Sequence, residues 1–205
     1  MTVTAPAPVS APAVRTGALA GVRRTGMFVT AGALIWAASM VTVGNNPTDS
    51  LGITISDLAA LPFQASLFAL VTAQLRTRAT GLSRVARGML RAEYVLLCMA
   101  TLWTVLHGLF PAARDEVWLA VLDAFWPLSM LGMFVIGVKI AFAGRWKGAA
   151  RVWPLIAESW AVVTVPTFVL IGDPVASWVG GGHLLIGYAL LGVILARRPG
   201  LTGAR

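Results

Sequence analysis

Charged residues are scarce in this sequence: they make up 12% of its 205 residues, whereas 58% of the residues are hydrophobic. Soluble globular domains carry about 25% charged residues, so a soluble domain is excluded. The hydrophobic residues come in blocks of about 20, which is the length that crosses a bilayer core as an α-helix. The sequence therefore predicts an all-α fold, a polytopic membrane bundle of six transmembrane helices.

Residues that carry common catalytic chemistry are also few. There is one cysteine, Cys98, so no intramolecular disulfide can form, and there are two histidines. The sequence has no Walker loop, no glycine-rich dinucleotide motif, no nucleophile elbow and no H-E-x-x-H motif. These absences argue against ATP hydrolysis and soluble-type hydrolase chemistry. The alanine-, arginine- and tryptophan-rich composition is typical of a bacterium with a GC-rich genome.

The apolar blocks divide the chain into three parts. We predict a disordered cytoplasmic tail over 1–22, a six-helix transmembrane domain over 23–198 and a short cytoplasmic tail over 199–205. The first part is rich in proline, alanine, serine and threonine, which favours disorder over a cleaved signal peptide. The predicted spans are 25–44, 53–75, 90–111, 117–142, 152–172 and 174–196.

The basic residues are confined to alternate loops. Fourteen of the 16 lie in the tails and in the loops after spans two and four, whereas the opposite loops contain only Arg114. The positive-inside rule places the basic loops in the cytoplasm, so both termini are predicted there, in a multi-pass protein of the inner (cytoplasmic) membrane. The same rule explains the net charge of +8 without a nucleic-acid partner.

Ionisable side chains inside the spans are candidate site residues, because they are costly unless they face the bundle interior or water. Glu93 and His107 fall on one face of span three, with Trp103 between them, as in a helix that lines a cavity. The predicted ligand-binding residues are Glu93, Trp103, His107, Asp123, Trp126, Glu158 and His183. The catalytic candidates are Asp123, Glu158 and Glu93.

Two prolines predict breaks in spans four and five. Pro127 removes a backbone hydrogen bond to the carbonyl of Asp123, and Pro166 removes one to Val162. A kink beside the carboxylate of Asp123 would create a polar pocket, and the alternative is a packing kink in which a hydroxyl or an indole partners Asp123.

Depth along the helices predicts which charged groups meet. Asp123 falls in the outer half of the membrane and Glu158 in the inner half, so these two should not form a catalytic dyad. We expect Asp123 to pair with His107 or His183, and Glu158 with Glu93.

The tryptophans and glycines complete the candidate cavity. Four tryptophans at span ends are predicted to form an interfacial belt, and four deeper ones to line an apolar cavity. Gly180, Gly181 and Gly182 precede His183 and indicate close helix packing or the approach of a flat ligand. The belt residues are Trp118, Trp146, Trp153 and Trp178, and the deeper ones are Trp36, Trp103, Trp126 and Trp160.

The leading functional hypothesis is a protein that binds or transports a small molecule or a proton through an internal polar cavity. Carboxyl and imidazole groups at two depths would take up protons or a polar group, and broken helices are typical of transporters. Six spans are few for a transporter, and a homo-oligomer would remove that objection. The other expected partner is the lipid bilayer.

An intramembrane enzyme that acts on an isoprenoid or other lipid is the alternative, so enzymatic activity is left open. Buried carboxylic acids would serve as general acids, and deep indoles would stabilise a carbocation through their π faces. In this combination of acidic residues with an aromatic-lined bundle, the chain resembles small integral-membrane terpene cyclases and sterol isomerases.

No cofactor is predicted, and a haem protein is the third hypothesis. His107 and His183 lie on different helices towards the outer side, but their depths differ by about 8 Å, which disfavours ligation of one haem by both. A smaller variant is a metal site made by His107, His183 and Asp123.

Overall fold

The computed structural model describes residues 11–204, and this part of the chain is helical and contains no strand. Six of its helical stretches are long and apolar enough to cross a membrane, which confirms the predicted all-α bundle of six spans. The six spans are Thr16–Thr42, Ser50–Thr77, Arg84–Leu109, Val117–Ala143, Gly148–Leu170 and Val175–Arg197.

Three spans are single helices and three are interrupted. The last span contains a π-helical segment, Leu185–Ala189, and short 3₁₀ turns occupy Pro111–Ala113 and Pro199–Thr202. The α-helices are α1 (Ala11–Thr42), α2 (Ser50–Thr77), α3 (Arg84–Leu109), α4 (Val117–Asp123), α5 (Phe125–Ala143), α6 (Gly148–Glu158), α7 (Trp160–Leu170), α8 (Val175–Leu184) and α9 (Leu190–Arg197).

Side-chain caps define the starts of two long helices. The carboxylate of Asp49 accepts a hydrogen bond of 2.8 Å from the amide of Gly52 and caps α2. The hydroxyl of Ser83 accepts one of 3.0 Å from the amide of Ala86 and caps α3. Each cap satisfies a backbone N–H group that has no partner within its own helix.

Both predicted tail segments contain residues that the structure describes as helical. Helix α1 begins at Ala11, inside the segment 1–22, because alanine, leucine and arginine favour a helix even where hydrophobicity is low. At the other end, the carbonyl of Leu201 accepts a hydrogen bond of 2.8 Å from the amide of Lys147, and Thr202 is buried. Residues 199–204 are therefore packed onto the bundle, while residues 1–10 and 205 lie outside the described residues.

The fourth span breaks where the sequence predicts it. Helix α4 ends at Asp123 and α5 begins at Phe125, four and two residues before Pro127. The proline ring clashes with the carbonyl four residues earlier, that of Asp123, which kinks or breaks a helix at this point. The prediction of a break at Pro127 is confirmed.

The fifth span breaks elsewhere than predicted. Pro166 lies inside α7, and the interruption is at Ser159, whose φ of −79° and ψ of 4° leave the helical region. The hydroxyl of Ser159 donates a hydrogen bond of 2.8 Å to the carbonyl of Ile156 and so replaces a backbone donor. The predicted break at Pro166 is wrong: α7 continues through the proline, and the fifth span is interrupted at Ser159 instead.

Helix α1 packs against α2, α8 and α9, and glycines allow a close approach between α1 and α9. A Cβ atom placed on Gly192 would lie 2.5 Å from the carbonyl oxygen of Gly26, and one on Gly26 would lie 2.5 Å from the amide nitrogen of Ala196. Glycine at both positions lets the two backbones touch. The hydroxyl of Thr30 is 3.1 Å from the carbonyl oxygen of Ala189 and adds a hydrogen bond across the same contact.

The outside of the bundle matches a lipid environment. Large apolar side chains such as Leu34, Val95 and Val169 are exposed, and so are Trp118 and Trp178 at span ends, where the belt was predicted. The belt assignment of Trp146 is wrong. Its indole is fully buried and donates a hydrogen bond of 2.9 Å to the hydroxyl of Thr77, because the loop after α5 folds back onto the end of α2.

The cytoplasmic location of the termini stays a prediction, and fusions at the C-terminus test it. A green fluorescent protein placed there should fluoresce, and alkaline phosphatase placed there should show only background activity, because the basic loops hold that end in the cytoplasm. Cells that express each fusion are compared after normalising for the amount of protein. An active phosphatase fusion together with a dark fluorescent fusion would reverse the topology.

Candidate functional site

In the half of the bundle that is predicted to be the outer one, a carboxyl–imidazole pair links α2 to α3. Asp57 Oδ2 lies 2.7 Å from His107 Nδ1, and both side chains are largely buried. The ring of Trp103 stacks on the imidazole, with 4.6 Å between centroids and 14° between planes. Arg114 donates a hydrogen bond of 2.9 Å to the carbonyl of His107, so the outer end of α3 is held in place.

A cavity of about 180 Å³ lies beside this pair. Its walls come from α1, α2, α3, α5 and α7, and one end is next to Asn45, in the loop that follows α1. The lining residues are Trp36, Met40, Asn45, Ser56, Asp57, Ala60, Thr104, Trp126 and Trp160.

Three tryptophans form one wall of this cavity and contact one another. The ring centroid of Trp36 lies 5.3 Å from that of Trp126 and 5.1 Å from that of Trp160. The rings of Trp126 and Trp160 are 6.0 Å apart. Three of the four deep tryptophans therefore line a cavity, and the fourth, Trp103, stacks on His107 instead. Indole faces carry negative potential, so a cation that lies against one of them would be attracted.

Polar atoms continue beneath the indoles. The hydroxyl of Thr104 accepts hydrogen bonds from Gln64 Nε2 at 2.8 Å and from Trp126 Nε1 at 3.3 Å. Gln64 is buried, and its Oε1 has no hydrogen-bond partner among the described residues. A buried acceptor of this kind lowers the stability of the protein by about 1–3 kcal/mol unless water or a ligand donates a hydrogen bond to it.

Two carboxyl groups lie deeper, and each accepts one hydrogen bond from a side chain. Glu93 and Glu158 are each 1% exposed. The hydroxyl of Ser129 donates to Glu93 Oε1 at 2.6 Å, and Gln74 Nε2 donates to Glu158 Oε1 at 3.0 Å. Their Oε2 atoms have no partner among residues 16–204, and neither residue forms a salt bridge there. A buried carboxyl group without a cationic partner needs a proton or a bound cation.

Helix α5 makes room for both carboxyl groups through glycine. A Cβ atom on Gly137 would lie 2.6 Å from Glu158 Oε2, and one on Gly132 would collide with Glu93 Oε2. The two glycines are about 140° apart around the helix at 100° per residue. The carboxyl groups thus approach α5 from different sides, and neither glycine position can hold a larger side chain without displacing an acid.

Tyr188 connects this level to the tryptophan wall. It is fully buried, its ring is 4.9 Å from that of Phe63, and Phe63 lies 4.9 Å from Trp36. Its hydroxyl has no hydrogen-bond partner among the described residues and is within electrostatic range of both Glu93 and Glu158. Aromatic rings therefore link the outer cavity to the buried acids.

The expected pairings differ from those observed. Asp123 is exposed and forms no hydrogen bond with either histidine, although it is within electrostatic range of His107. The prediction used depth along the helices, which does not determine how each helix is rotated. His107 pairs with Asp57 instead, and His183 Nε2 lies 3.1 Å from the hydroxyl of Ser159. Glu158 is within electrostatic range of Glu93, but Gln74 and Ser129 provide their hydrogen bonds.

Several residues of this site were not predicted from the sequence. Gln64, Gln74 and Ser129 are uncharged, whereas the predicted site residues are ionisable groups and tryptophans. Two glutamines in one apolar span were an available signal, because an amide inside a membrane needs partners almost as a charge does. Tyr188 gave no such signal, because an isolated tyrosine in a span is also typical of packing.

Histidine, cysteine and carboxylate side chains do not gather into a metal site. Among residues 16–204, no three of them are close enough together to hold an ion. Gly180, Gly181 and Gly187 serve helix packing: Cβ atoms on them would lie 2.5 Å from Met40, 3.0 Å from Val41 and 2.8 Å from the backbone of Ala157.

The six apolar spans, with polar and acidic groups in their interior, define a multi-pass α-helical membrane protein. Comparison of the chain with protein-family models, with curated proteins and with solved structures gave no match.

Proposed function

We propose that this protein binds a small cation in the tryptophan-lined cavity and transports it across the membrane, either in exchange for protons or together with them. The observation that carries the proposal is the wall of three mutually contacting indoles next to the carboxylate of Asp57. A cation over an indole face gains up to about 2 kcal/mol when it is desolvated, and a carboxylate adds charge attraction.

The size of the cavity supports a small ligand. A volume of about 180 Å³ corresponds to about six water molecules at about 30 Å³ each. Sites for drug-sized molecules are about 300–1,000 Å³. The cavity therefore suits a methylated ammonium ion or a cation of similar size, and it is too small for the isoprenoid chain that the enzyme hypothesis requires.

The buried acids support the proton component. Glu93 and Glu158 lie below the cavity, are removed from solvent, and have no basic partner among residues 16–204. Intramembrane carboxyl groups of this kind mark proton and ion pathways in pumps and transporters. Their unpartnered Oε2 atoms are the positions at which a proton would be held.

Equilibrium dialysis of the detergent-purified protein with radiolabelled tetramethylammonium tests the binding step. Binding should saturate, and tert-butanol, a neutral molecule of similar shape, should not compete. Replacement of Trp126 by leucine should weaken binding by about 5- to 30-fold, because it removes an indole face worth about 1–2 kcal/mol. Trp118→Leu, at an exposed tryptophan outside the cavity, is the matched control and should bind as the wild type does.

Two outcomes would contradict the proposal. Competition by tert-butanol equal to that by unlabelled tetramethylammonium would show that shape rather than charge is recognised. Equal weakening in Trp126→Leu and Trp118→Leu would show that the cavity is not the site.

A further inference from the structure

The cytoplasmic end of the bundle contains a second cavity, which is basic. It has a volume of about 580 Å³ and is built by the end of α2, the loop between α5 and α6, and the C-terminal residues. Its lining residues are Arg76, Thr77, Arg78, Gly144, Arg145, Lys147, Gly203 and Ala204. Four of these eight are basic and none is acidic.

The segments around this cavity are fixed to one another. Trp146, between two of the basic residues, is fully buried and bonds to the hydroxyl of Thr77 at 2.9 Å. The amide of Lys147 bonds to the carbonyl of Leu201 at 2.8 Å. Arg78 ends α2 in the left-handed conformation, with its amide bonded back to the last turn of that helix. The backbone segments that carry the basic side chains are therefore already in place before a ligand binds.

The charge of this cavity is not neutralised within residues 16–204. The salt bridge in that range is His107 to Asp57, in the outer half, so no carboxylate pairs with the four basic side chains. The orientation signal explains why basic residues lie on this side of the membrane. It does not require that they surround one cavity. The site is therefore suited to an anion, and arginine in particular matches the geometry of phosphate.

An apolar groove of about 670 Å³ continues from the basic cavity along α1 and α2, and the two share Arg76, Thr77 and Ala204. From Gly17 to Thr25 the groove follows α1 for about 12 Å at 1.5 Å per residue. Cβ atoms placed on Gly17 or Gly21 would have no heavy atom within 4 Å, so the small residues here face open space. The other groove residues are Ala18, Val22, Ala69, Thr72 and Ala73.

We propose that the two connected cavities bind one anionic phospholipid of the cytoplasmic leaflet. Its phosphate lies among Arg76, Arg78, Arg145 and Lys147, and an acyl chain lies in the groove between α1 and α2. Basic pockets between helices at this side of a membrane recognise lipid head groups. The groove adds affinity for a lipid, because an acyl chain can be buried in it, whereas a soluble anion has no such chain. This proposal is independent of the cation site, which lies in the other half of the bundle.

Native mass spectrometry of the detergent-purified chain, titrated with dioleoyl phosphatidylglycerol or dioleoyl phosphatidylcholine, tests the proposal. One phosphatidylglycerol should bind more tightly than any phosphatidylcholine. The double variant Arg76→Gln/Arg145→Gln should weaken that binding by about 30-fold, because each basic residue near the head group contributes about a fivefold factor. The matched control Arg84→Gln/Arg87→Gln removes the same charge from the same side outside the cavity and should change binding less than about threefold.

The groove is tested separately with leucine in place of glycine. Gly21→Leu fills the groove and should weaken phosphatidylglycerol binding, whereas Gly88→Leu, at another helical glycine with open space around it, should not. Soluble glycerol phosphate should compete only weakly. The proposal is overturned if phosphatidylcholine binds as tightly, if the two arginine double variants lose binding equally, or if glycerol phosphate binds as tightly as the lipid.

Discussion

Glu158→Gln is expected to abolish proton movement while leaving the bundle folded. Glutamine keeps the shape of the side chain and an oxygen that can accept the hydrogen bond from Gln74, but it cannot take up a proton. In pyranine-loaded proteoliposomes given a gradient of tetramethylammonium, the wild type should change the internal pH. The variant should fall to the level of protein-free liposomes, and its thermal midpoint should stay within about 4 °C of the wild type.

Glu116→Gln provides the control, because this carboxylate is exposed in the loop before α4 and lies outside the proposed pathway. It should match the wild type in both measurements. A wild-type pH change from the Glu158→Gln protein would show that Glu158 carries no proton. The cation site could still stand in that case, because its test measures binding and does not depend on protons.

The largest effect on stability is expected from Gly192→Val. The new Cβ atom would lie 2.5 Å from the carbonyl oxygen of Gly26 and 2.7 Å from the amide nitrogen of Thr30. Both are backbone atoms, so the contact is relieved only if α1 and α9 separate. We expect a loss of about 3 kcal/mol in the free energy of unfolding and a drop of about 6–12 °C in the thermal midpoint.

Thermal unfolding in detergent, followed by circular dichroism, measures this drop. Gly88→Val is the matched control: it puts the same side chain on a helical glycine whose Cβ position has no heavy atom within 4 Å. Its midpoint should stay within about 2 °C of the wild type. Equal midpoints for the two variants would mean that the α1–α9 contact contributes little to stability.

The number of spans could be predicted because it depends on local composition. Blocks of about 20 apolar residues have one stable arrangement in a bilayer, and the six predicted spans overlap the six found. The break before Pro127 could be predicted for a similar reason, since a proline ring acts on its own helix. The break at Ser159 could not, because a serine hydroxyl ends a helix in some surroundings and is tolerated in others.

Pairings between helices were predicted less well. Depth predicted different halves of the membrane for Glu158 and Asp123, but it gave no information on how each helix is rotated. The partners of His107 and Glu158 are Asp57 and Gln74, and both come from α2. That helix packs against α1 and α3, an arrangement that no local pattern in the sequence specifies. Rotation of a helix depends on how all its neighbours pack, and so it became known only with the structure.

The two glycines of α5 have a mechanical consequence. This helix lies between the break at Ala124 and Gly144, whose φ of 62° ends it. Gly132 contacts one buried carboxyl group and Gly137 the other, on sides about 140° apart. A rotation of α5 about its own axis would therefore shift both contacts together. Protonation of Glu93 and protonation of Glu158 would then be coupled through rotation of α5 as a rigid helix, with no hydrogen bond between the two carboxyl groups.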